Sequence, residues 1–347
     1  MPIQTNFFSP DTGAGSSGLS SEAAAVAGRA DLITDQLQAV RQEIGRVVFG
    51  QTSVVEQALV SILAGGHALL VGAPGLGKTL LVTTLGSVLG LDARRVQFTP
   101  DLMPSDITGS EILDEDAGGH RSFRFVPGPV FCQLLMADEI NRASPRTQSA
   151  LLQAMQEHRV TIAGTEYALP CPFHVLATQN PIDQEGTYPL PEAQLDRFML
   201  QIQLTFPEAT DERAMLLATT GAELAAARQI LTVEELLAAQ TMVRQLPVGD
   251  RIVDAILQLV RSARPETTDI PAVQDAVAWG PGPRAAQTLM LATRARALLD
   301  GRLSPGLDDV AALARPVLAH RMALSFAARA DATRIEDVID SLVERLG

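Results

Sequence analysis

Apolar residues in the first 200 positions cluster in short runs that end at polar residues or glycines. Three such runs lie at residues 67–71, 134–137 and 173–178. Continuous apolar runs of this length are typical of strands buried on both faces of a parallel sheet. After the first run, apolar residues recur at helical spacing at Leu81, Leu85, Val88 and Leu89, and Gly90 suits the position just past a helix C-terminus. The pattern predicts an α/β core.

Two further segments have the pattern of β-hairpins rather than of core strands. Residues 112–113 and 123–125 flank an acidic, glycine-containing stretch, and residues 160–162 and 167–169 flank a turn at 164–165. Short strand-forming runs on either side of a glycine turn favour antiparallel pairing. We therefore expect two hairpins inserted in the core.

The two ends of the chain differ from the core in composition and in predicted secondary structure. Residues 1–30 are rich in Ser, Gly and Ala, which predicts a flexible tail, and an amphipathic helix is expected from Asp31. Beyond Phe206 long Ala- and Leu-rich helical stretches continue to the C-terminus. The predicted organisation is a tail (1–30), an α/β core (31–206) and an α-helical domain (207–347).

Composition and charge narrow the class of protein. The 347 residues carry a formal net charge of −13 and only 4% aromatic side chains. Non-specific binding of nucleic acid, which uses basic surfaces and aromatic stacking, is therefore not expected. Two cysteines are too few for a disulfide framework or a zinc ribbon. With neither a membrane-spanning apolar run nor a signal peptide in the sequence, a soluble cytoplasmic protein is expected.

The segment after the first apolar run carries the pattern G-x-x-x-x-G-K-[ST], formed by Gly72, Ala73, Pro74, Gly75, Leu76, Gly77, Lys78 and Thr79. Glycines let backbone N–H groups converge on phosphate oxygens, and a helix N-terminus adds positive potential. Lys78 would reach the β- and γ-phosphates of ATP, and the Thr79 hydroxyl would bind Mg²⁺. Lys78 is the single lysine among 27 basic residues, which favours a position that needs a compact ammonium.

Two acidic residues and an amide follow the other apolar runs, at what would be the same edge of the sheet. Asp138 would hold Mg²⁺, and Glu139 would polarise the water that attacks the γ-phosphate. Asn180 either orients that water or forms the turn before Pro181, and its position alone does not separate the two.

Two arginines are candidates for contact with phosphate. Arg197 would lie near the end of a helix that begins at Pro191; it is either an arginine finger for a neighbouring subunit or a salt-bridge partner of Asp196 or Glu192. Arg284 opens a helix after a Gly-Pro-Gly-Pro turn and either contacts phosphate or is an exposed first-turn residue.

From about Asp31 to Gly347 the sequence resembles the MoxR family of AAA+ ATPases. The resemblance rests on the glycine-rich loop and on residues 49–51, 97–109, 135–142, 177–198, 283–285 and 316–321. It implies an AAA+ P-loop NTPase core, with a parallel sheet, flanking helices and two β-hairpin inserts, followed by an all-α lid domain.

The resemblance also implies a role for each candidate residue. Lys78 and Thr79 match Walker A, Asp138 and Glu139 match Walker B, Asn180 matches sensor 1, Arg197 the arginine finger and Arg284 sensor 2. The family's usual Gly-Ala-Ser-Pro-Arg at sensor 2 reads Gly-Pro-Gly-Pro-Arg here, which is a stiffer turn.

Members of the family form hexameric rings that use ATP and Mg²⁺ to remodel client proteins or enzyme complexes, often beside a von Willebrand factor A-domain partner. The sequence does not identify the client. Two other functions remain open, a nucleic-acid motor and an ATP-binding switch without turnover. The charge of −13 argues against the first, and the presence of Glu139 argues against the second.

Overall fold

The computed structural model describes residues 16–115, 121–181, 186–220 and 226–346. Its strands, in chain order, are β1 (Ala68–Val71), β2 (Ala93–Gln97), β3 (Gly109–Glu115), β4 (Arg121–Pro127), β5 (Leu134–Asp138), β6 (Arg159–Ile162), β7 (Thr165–Ala168), β8 (His174–Gln179), β9 (Leu200–Gln203), β10 (Val277–Trp279) and β11 (Ala323–Leu324).

The helices are α1 (Ser16–Gly45), α2 (Thr52–Leu63), α3 (Lys78–Val88), α4 (Pro104–Thr108), α5 (Pro145–Glu157), α6 (Glu192–Leu195), α7 (Ala209–Thr219), α8 (Val233–Gln245), α9 (Asp250–Ser262), α10 (Pro271–Ala276), α11 (Pro283–Leu299), α12 (Leu307–Leu318), α13 (Phe326–Ala330) and α14 (Ile335–Val343). Helix α1 includes the helix expected from Asp31 and begins at Ser16, inside the segment 1–30 that the sequence predicts as a tail. Residues 1–15 lie outside the described part, and the two boundaries between the three predicted parts stay predictions.

The central sheet has five parallel strands in the order β2-β5-β8-β1-β9. The three predicted runs form β1, β5 and β8, its interior strands, and the apolar side chains of these strands are buried on both faces. One face packs against α1, α2, α3 and the C-terminal helices, and the other packs against α5 and the segment that leads into β9. The parallel α/β core expected from the sequence is confirmed.

Local signals in the sequence fix several helix ends. Ser144 caps α5 by accepting a hydrogen bond from the backbone N–H of Thr147, and Pro145 occupies the first helical position. Thr232 and Glu235 form a reciprocal capping box at the start of α8. Gly90 lies just past α3 with φ +64°, as predicted for a helix C-terminus.

Both expected hairpins are present. Strands β3 and β4 pair antiparallel, as do β6 and β7. The two hairpins meet through Phe125 and Tyr167, whose rings stack with centroids 4.0 Å apart. The turn residues of the sequence therefore predict both hairpins correctly, and the structure adds that the hairpins lie against each other.

The C-terminal region is helical, as expected, with one small addition. Strands β10 and β11 form a two-stranded antiparallel ladder within it. A network of charged side chains ties this region to the N-terminal helices. Arg296 of α11 pairs with Glu56 of α2 at 2.9 Å and with the fully buried Asp309 of α12 at 2.6 Å, and Arg41 of α1 pairs with Asp300 at 3.0 Å.

Within the described ranges, no helix combines the length and the apolar character that a membrane crossing requires.

Candidate active site

The glycine-rich loop joins β1 to α3 at the carboxyl edge of the sheet. Gly75 and Gly77 adopt left-handed conformations, with φ +83° and +75°, and a Cβ on either residue would meet no atom within 4 Å. The two glycines therefore supply a backbone conformation that other residues rarely adopt, and the loop is open around both of them. Lys78 and Thr79 open α3, and the Lys78 ammonium donates a hydrogen bond to the Gly72 carbonyl at 2.7 Å.

Asp138 ends β5, and a threonine that the sequence analysis did not single out organises the turn after it. The hydroxyl of Thr178, on the neighbouring strand β8, donates to Asp138 Oδ1 at 2.5 Å and accepts from the Glu139 N–H at 2.8 Å. Arg95 of β2 donates to the other oxygen of Asp138 at 2.5 Å. The Asp138 carboxylate is therefore fixed by strands on both sides.

Glu139 follows in a left-handed conformation, with φ +54°, that a non-glycine residue seldom adopts. Its Oε2 accepts a hydrogen bond from Gln97 Nε2 at 2.8 Å and forms an ion pair with Arg142 Nε at 2.9 Å. The backbone geometry and these two contacts together hold the carboxylate of Glu139 at the carboxyl edge of the sheet.

These elements enclose a cleft of about 210 Å³ lined by Pro74, Gly75, Gly77, Lys78, Thr79, Asp138, Glu139 and Asn180. The structure thus brings five of the predicted loop residues together with Asp138, Glu139 and Asn180, whereas Gly72, Ala73 and Leu76 do not line the cleft. The residues present fit a nucleotide with Mg²⁺: the loop is open and cationic, and the Thr79 hydroxyl and Asp138 carboxylate are the oxygen ligands that Mg²⁺ prefers.

Arg197 is not among the residues that line this cleft. The helix after Pro191 is α6, which has four residues and ends at Leu195, so Arg197 lies beyond its end rather than within it. Among the described residues no ion pair joins Arg197 to Asp196 or to Glu192, and Asp196 pairs with Arg284 and Arg321.

Arg284 occupies the first turn of α11, whose N-cap is Gly282. It too does not line the cleft. Its Nη1 lies 3.2 Å from Asp196 Oδ2, and its side chain is about half exposed. The structure therefore pairs Arg284 with the carboxylate of Asp196, the residue that directly precedes Arg197.

The Asp196 carboxylate also pairs with Arg321, to which the sequence analysis gave no role. Arg321 is only 1% exposed, and its Nε lies 2.7 Å from Asp196 Oδ1. Burial lowers the pKa of Arg321, and the Asp196 carboxylate opposes that shift. In the sequence, Arg321 follows an apolar helix and ends the segment 316–321 that resembles the family, but neither feature points to its partner, which lies 125 positions earlier.

Comparison with known protein families assigns both parts of the chain. Residues 67–200 match the ATPase family associated with various cellular activities (AAA), and residues 271–342 match the AAA lid domain.

Individual relatives agree with this assignment over most of the chain. Chaperone MoxR1 of Mycobacterium tuberculosis is 42% identical over 303 residues, which cover 87% of this chain and 79% of that protein. Protein MoxR of Paracoccus denitrificans is 34% identical over 296 residues, covering 80% and 86%. The crystal structure of a Cytophaga hutchinsonii protein assigned as an ATPase superposes with a TM-score of 0.87 at 36% identity, over 94% of this chain and 98% of that one.

Proposed function

The chain belongs to the MoxR family of AAA+ ATPases, and we propose that it hydrolyses ATP in a ring of identical subunits to remodel client proteins. The observation that supports hydrolysis most strongly is the single cleft that gathers Lys78, Thr79, Asp138, Glu139 and Asn180.

Each residue of the cleft has a proposed task. Lys78 and the backbone of the glycine loop bind the β- and γ-phosphates, while Thr79 and Asp138 hold Mg²⁺. The bound Mg²⁺ would neutralise charge that develops on the phosphate oxygens. Glu139 accepts a proton from the attacking water, and Asn180 orients that water.

The proposed ring explains the position of Arg197. An arginine that stabilises charge on the γ-phosphate must reach it, and Arg197 does not line the cleft of its own chain. We infer that Arg197 serves the cleft of the adjacent subunit. Arg284, on the lid, would contact phosphate in its own subunit once it leaves Asp196.

The remodelling role rests on the family. One relative is named a chaperone. We propose that this chain acts on a protein client, and that a protein with a von Willebrand factor A domain is its partner.

Sedimentation velocity tests the ring. Glu139→Gln protein should retain ATP, because the loop and the metal ligands are intact, and it should sediment as a hexamer with Mg-ATP. Lys78→Ala, which removes the phosphate-binding ammonium, is the matched control and should stay smaller. A monomer in both proteins at all ATP concentrations would overturn the ring, and phosphate release by the unmodified protein separates an ATPase from a binding switch.

A further inference from the structure

The backbone on either side of Arg197 is held by the lid of the same chain. Residues 196–199 connect α6 to β9, and the segment Ala319–Arg321 of the lid lies against them. The contact joins parts of the chain more than a hundred positions apart and is made largely by one side chain, that of Arg321.

Arg321 uses its whole guanidinium group in this contact. Its Nη2 donates to the Phe198 carbonyl at 2.7 Å and to the Asp196 carbonyl at 3.2 Å, and its Nη1 donates to the Met199 carbonyl at 3.2 Å. His320 adds a hydrogen bond from Nε2 to the Phe198 carbonyl at 3.0 Å. The lid therefore fixes backbone groups both before and after Arg197.

The carboxylate of Asp196 completes the arrangement. One of its oxygens lies 2.7 Å from Arg321 Nε and the other lies 3.2 Å from Arg284 Nη1. Asp196 thus joins two lid arginines, at the residue that directly precedes Arg197. A buried arginine paired through its planar fork defines both position and orientation, which a lysine cannot do.

We propose that Arg321 and Asp196 are positioning residues for Arg197, so that the lid of each subunit sets the place of the arginine it offers to its neighbour. This inference rests on the proposed function, in which Arg197 acts in the adjacent cleft. It gives that function a physical route: a lid movement in one subunit moves residues 196–199 and changes hydrolysis in the next subunit.

Two variants test the inference. Arg321→Lys keeps the buried charge and loses the fork, and Asp196→Asn keeps the shape and loses the ion pair. Each variant alone should bind ATP normally and hydrolyse it at least roughly tenfold more slowly, because misplacing a catalytic group by about 1 Å costs up to roughly 100-fold. Asp196 is partly exposed, so its variant serves if Arg321→Lys does not fold.

Mixing with Glu139→Gln distinguishes this role from a structural one. A Glu139→Gln subunit lacks the base but offers a correctly placed Arg197, so a mixed ring should recover part of the hydrolysis lost in Arg321→Lys or Asp196→Asn. A defect confined to a subunit's own cleft would not recover. Arg315→Lys is the matched control: Arg315 is a lid arginine paired with Asp340, it has no hydrogen bond or ion pair to residues 196–199 within the described residues, and its variant should hydrolyse ATP at the normal rate.

A mixture of Arg197→Ala and Glu139→Gln proteins distinguishes the positioning role of Arg321 and Asp196 from the shared site between subunits. If that mixture recovers activity and the Arg321→Lys and Asp196→Asn mixtures do not, the positioning role is overturned and the shared site stands. Unchanged hydrolysis in both variants alone also overturns the positioning role. If the Arg197→Ala mixture itself fails to recover in assembled rings, the shared site is overturned, and the inference built on it falls with it.

Discussion

Lys78 is unusual both in the composition of the chain and in its position in the structure. It is the only lysine among 27 basic residues, and the structure places its ammonium at the start of α3, in the cleft and 2.7 Å from the Gly72 carbonyl. That this position needs a compact ammonium stays a prediction. The wider guanidinium of an arginine would need more room beside the glycine loop.

The lone lysine permits a direct chemical test. Lys78 supplies the only side-chain amine of the sequence, so an amine-directed acyl probe should label it and the chain's α-amine. Bound phosphates would cover Lys78, and Mg-ATP should therefore reduce its labelling at least roughly tenfold while the α-amine reacts as before. Peptide mass mapping measures both sites. Equal labelling of Lys78 with and without nucleotide would contradict its assignment to the phosphate site.

Thr178 is the residue of the cleft region that sequence reasoning missed. It ends a predicted strand, where a threonine is ordinary, and only the packing of β8 against β5 brings its hydroxyl to Asp138 and Glu139. Spacing along the chain contains no signal for that contact.

Replacing Thr178 by valine should slow hydrolysis roughly 10- to 100-fold, because it leaves the Glu139 N–H without its acceptor and loosens Asp138. Thr178→Ser keeps the hydroxyl and should retain most of the rate. Thr241→Val, at an exposed position of α8, is the control for the substitution itself. Steady-state phosphate release measures all three, and a normal rate in Thr178→Val would show that its hydrogen bonds are dispensable.

At the scale of elements, the sequence predicts the interior strands of the central sheet and misses its two edge strands. Strands β1, β5 and β8 are continuous apolar runs because both faces of the sheet cover them. Strand β2 is an edge strand with mostly exposed residues, including Arg95, and β9 has only four residues with alternating polarity. The mostly polar sequence of β2 does not distinguish it from a loop. The alternation of apolar and polar residues at 200–204 is a strand pattern, which a search for continuous apolar runs does not detect.

Three buried histidines join these elements, and all three are held neutral. His67 and His174, at the amino ends of β1 and β8, are linked by hydrogen bonds to backbone groups of the core, and His320 binds the Phe198 carbonyl. Burial lowers the pKa of His67 to about 3, of His174 to about 4 and of His320 to about 3.

This arrangement predicts a loss of stability in mild acid. The unfolded chain binds protons at these histidines near pH 6.5 and the folded chain does not, so stability is complete above that pH and falls as the pH drops towards 4. Each histidine should cost about 1.4 kcal/mol between pH 7.5 and 5.5, and the three together about 4 kcal/mol.

Urea unfolding at the two pH values measures the effect. His174→Asn should reduce the pH dependence by about a third, since one of three groups is removed. A midpoint that does not change between the two pH values would show that the histidines are not the source of acid sensitivity.

At the scale of the whole molecule, the contacts between core and lid are the part that no local pattern predicts. The family resemblance anticipates a helical lid, and the structure and the match to the AAA lid domain confirm it. It does not anticipate that Arg321 pairs with Asp196 across 125 positions, or that Glu56 and Asp309 share Arg296. Such pairs depend on where two domains dock, and single-residue spacing contains no information on docking.

These contacts give the lid two connections to the core, with different consequences. The charged network around Arg296 and Asp309 anchors the lid to α2, away from the cleft residues. The contact of Arg321 with residues 196–199 connects the lid to the arginine proposed to serve the neighbouring subunit. The proposed transfer of lid position between subunits uses the second connection.

The central claim is that Glu139 is the base of an ATP-hydrolysing site, and phosphate release by Glu139→Gln protein tests it most directly. Binding of ATP, followed with a fluorescent analogue, should be retained because Lys78, Thr79 and Asp138 are unchanged. Hydrolysis should fall at least roughly 100-fold, since the amide cannot accept the proton of the attacking water. Glu344→Gln, at an exposed position after α14, controls for the loss of a carboxylate and should hydrolyse ATP normally. A normal rate of hydrolysis in Glu139→Gln would contradict the claim.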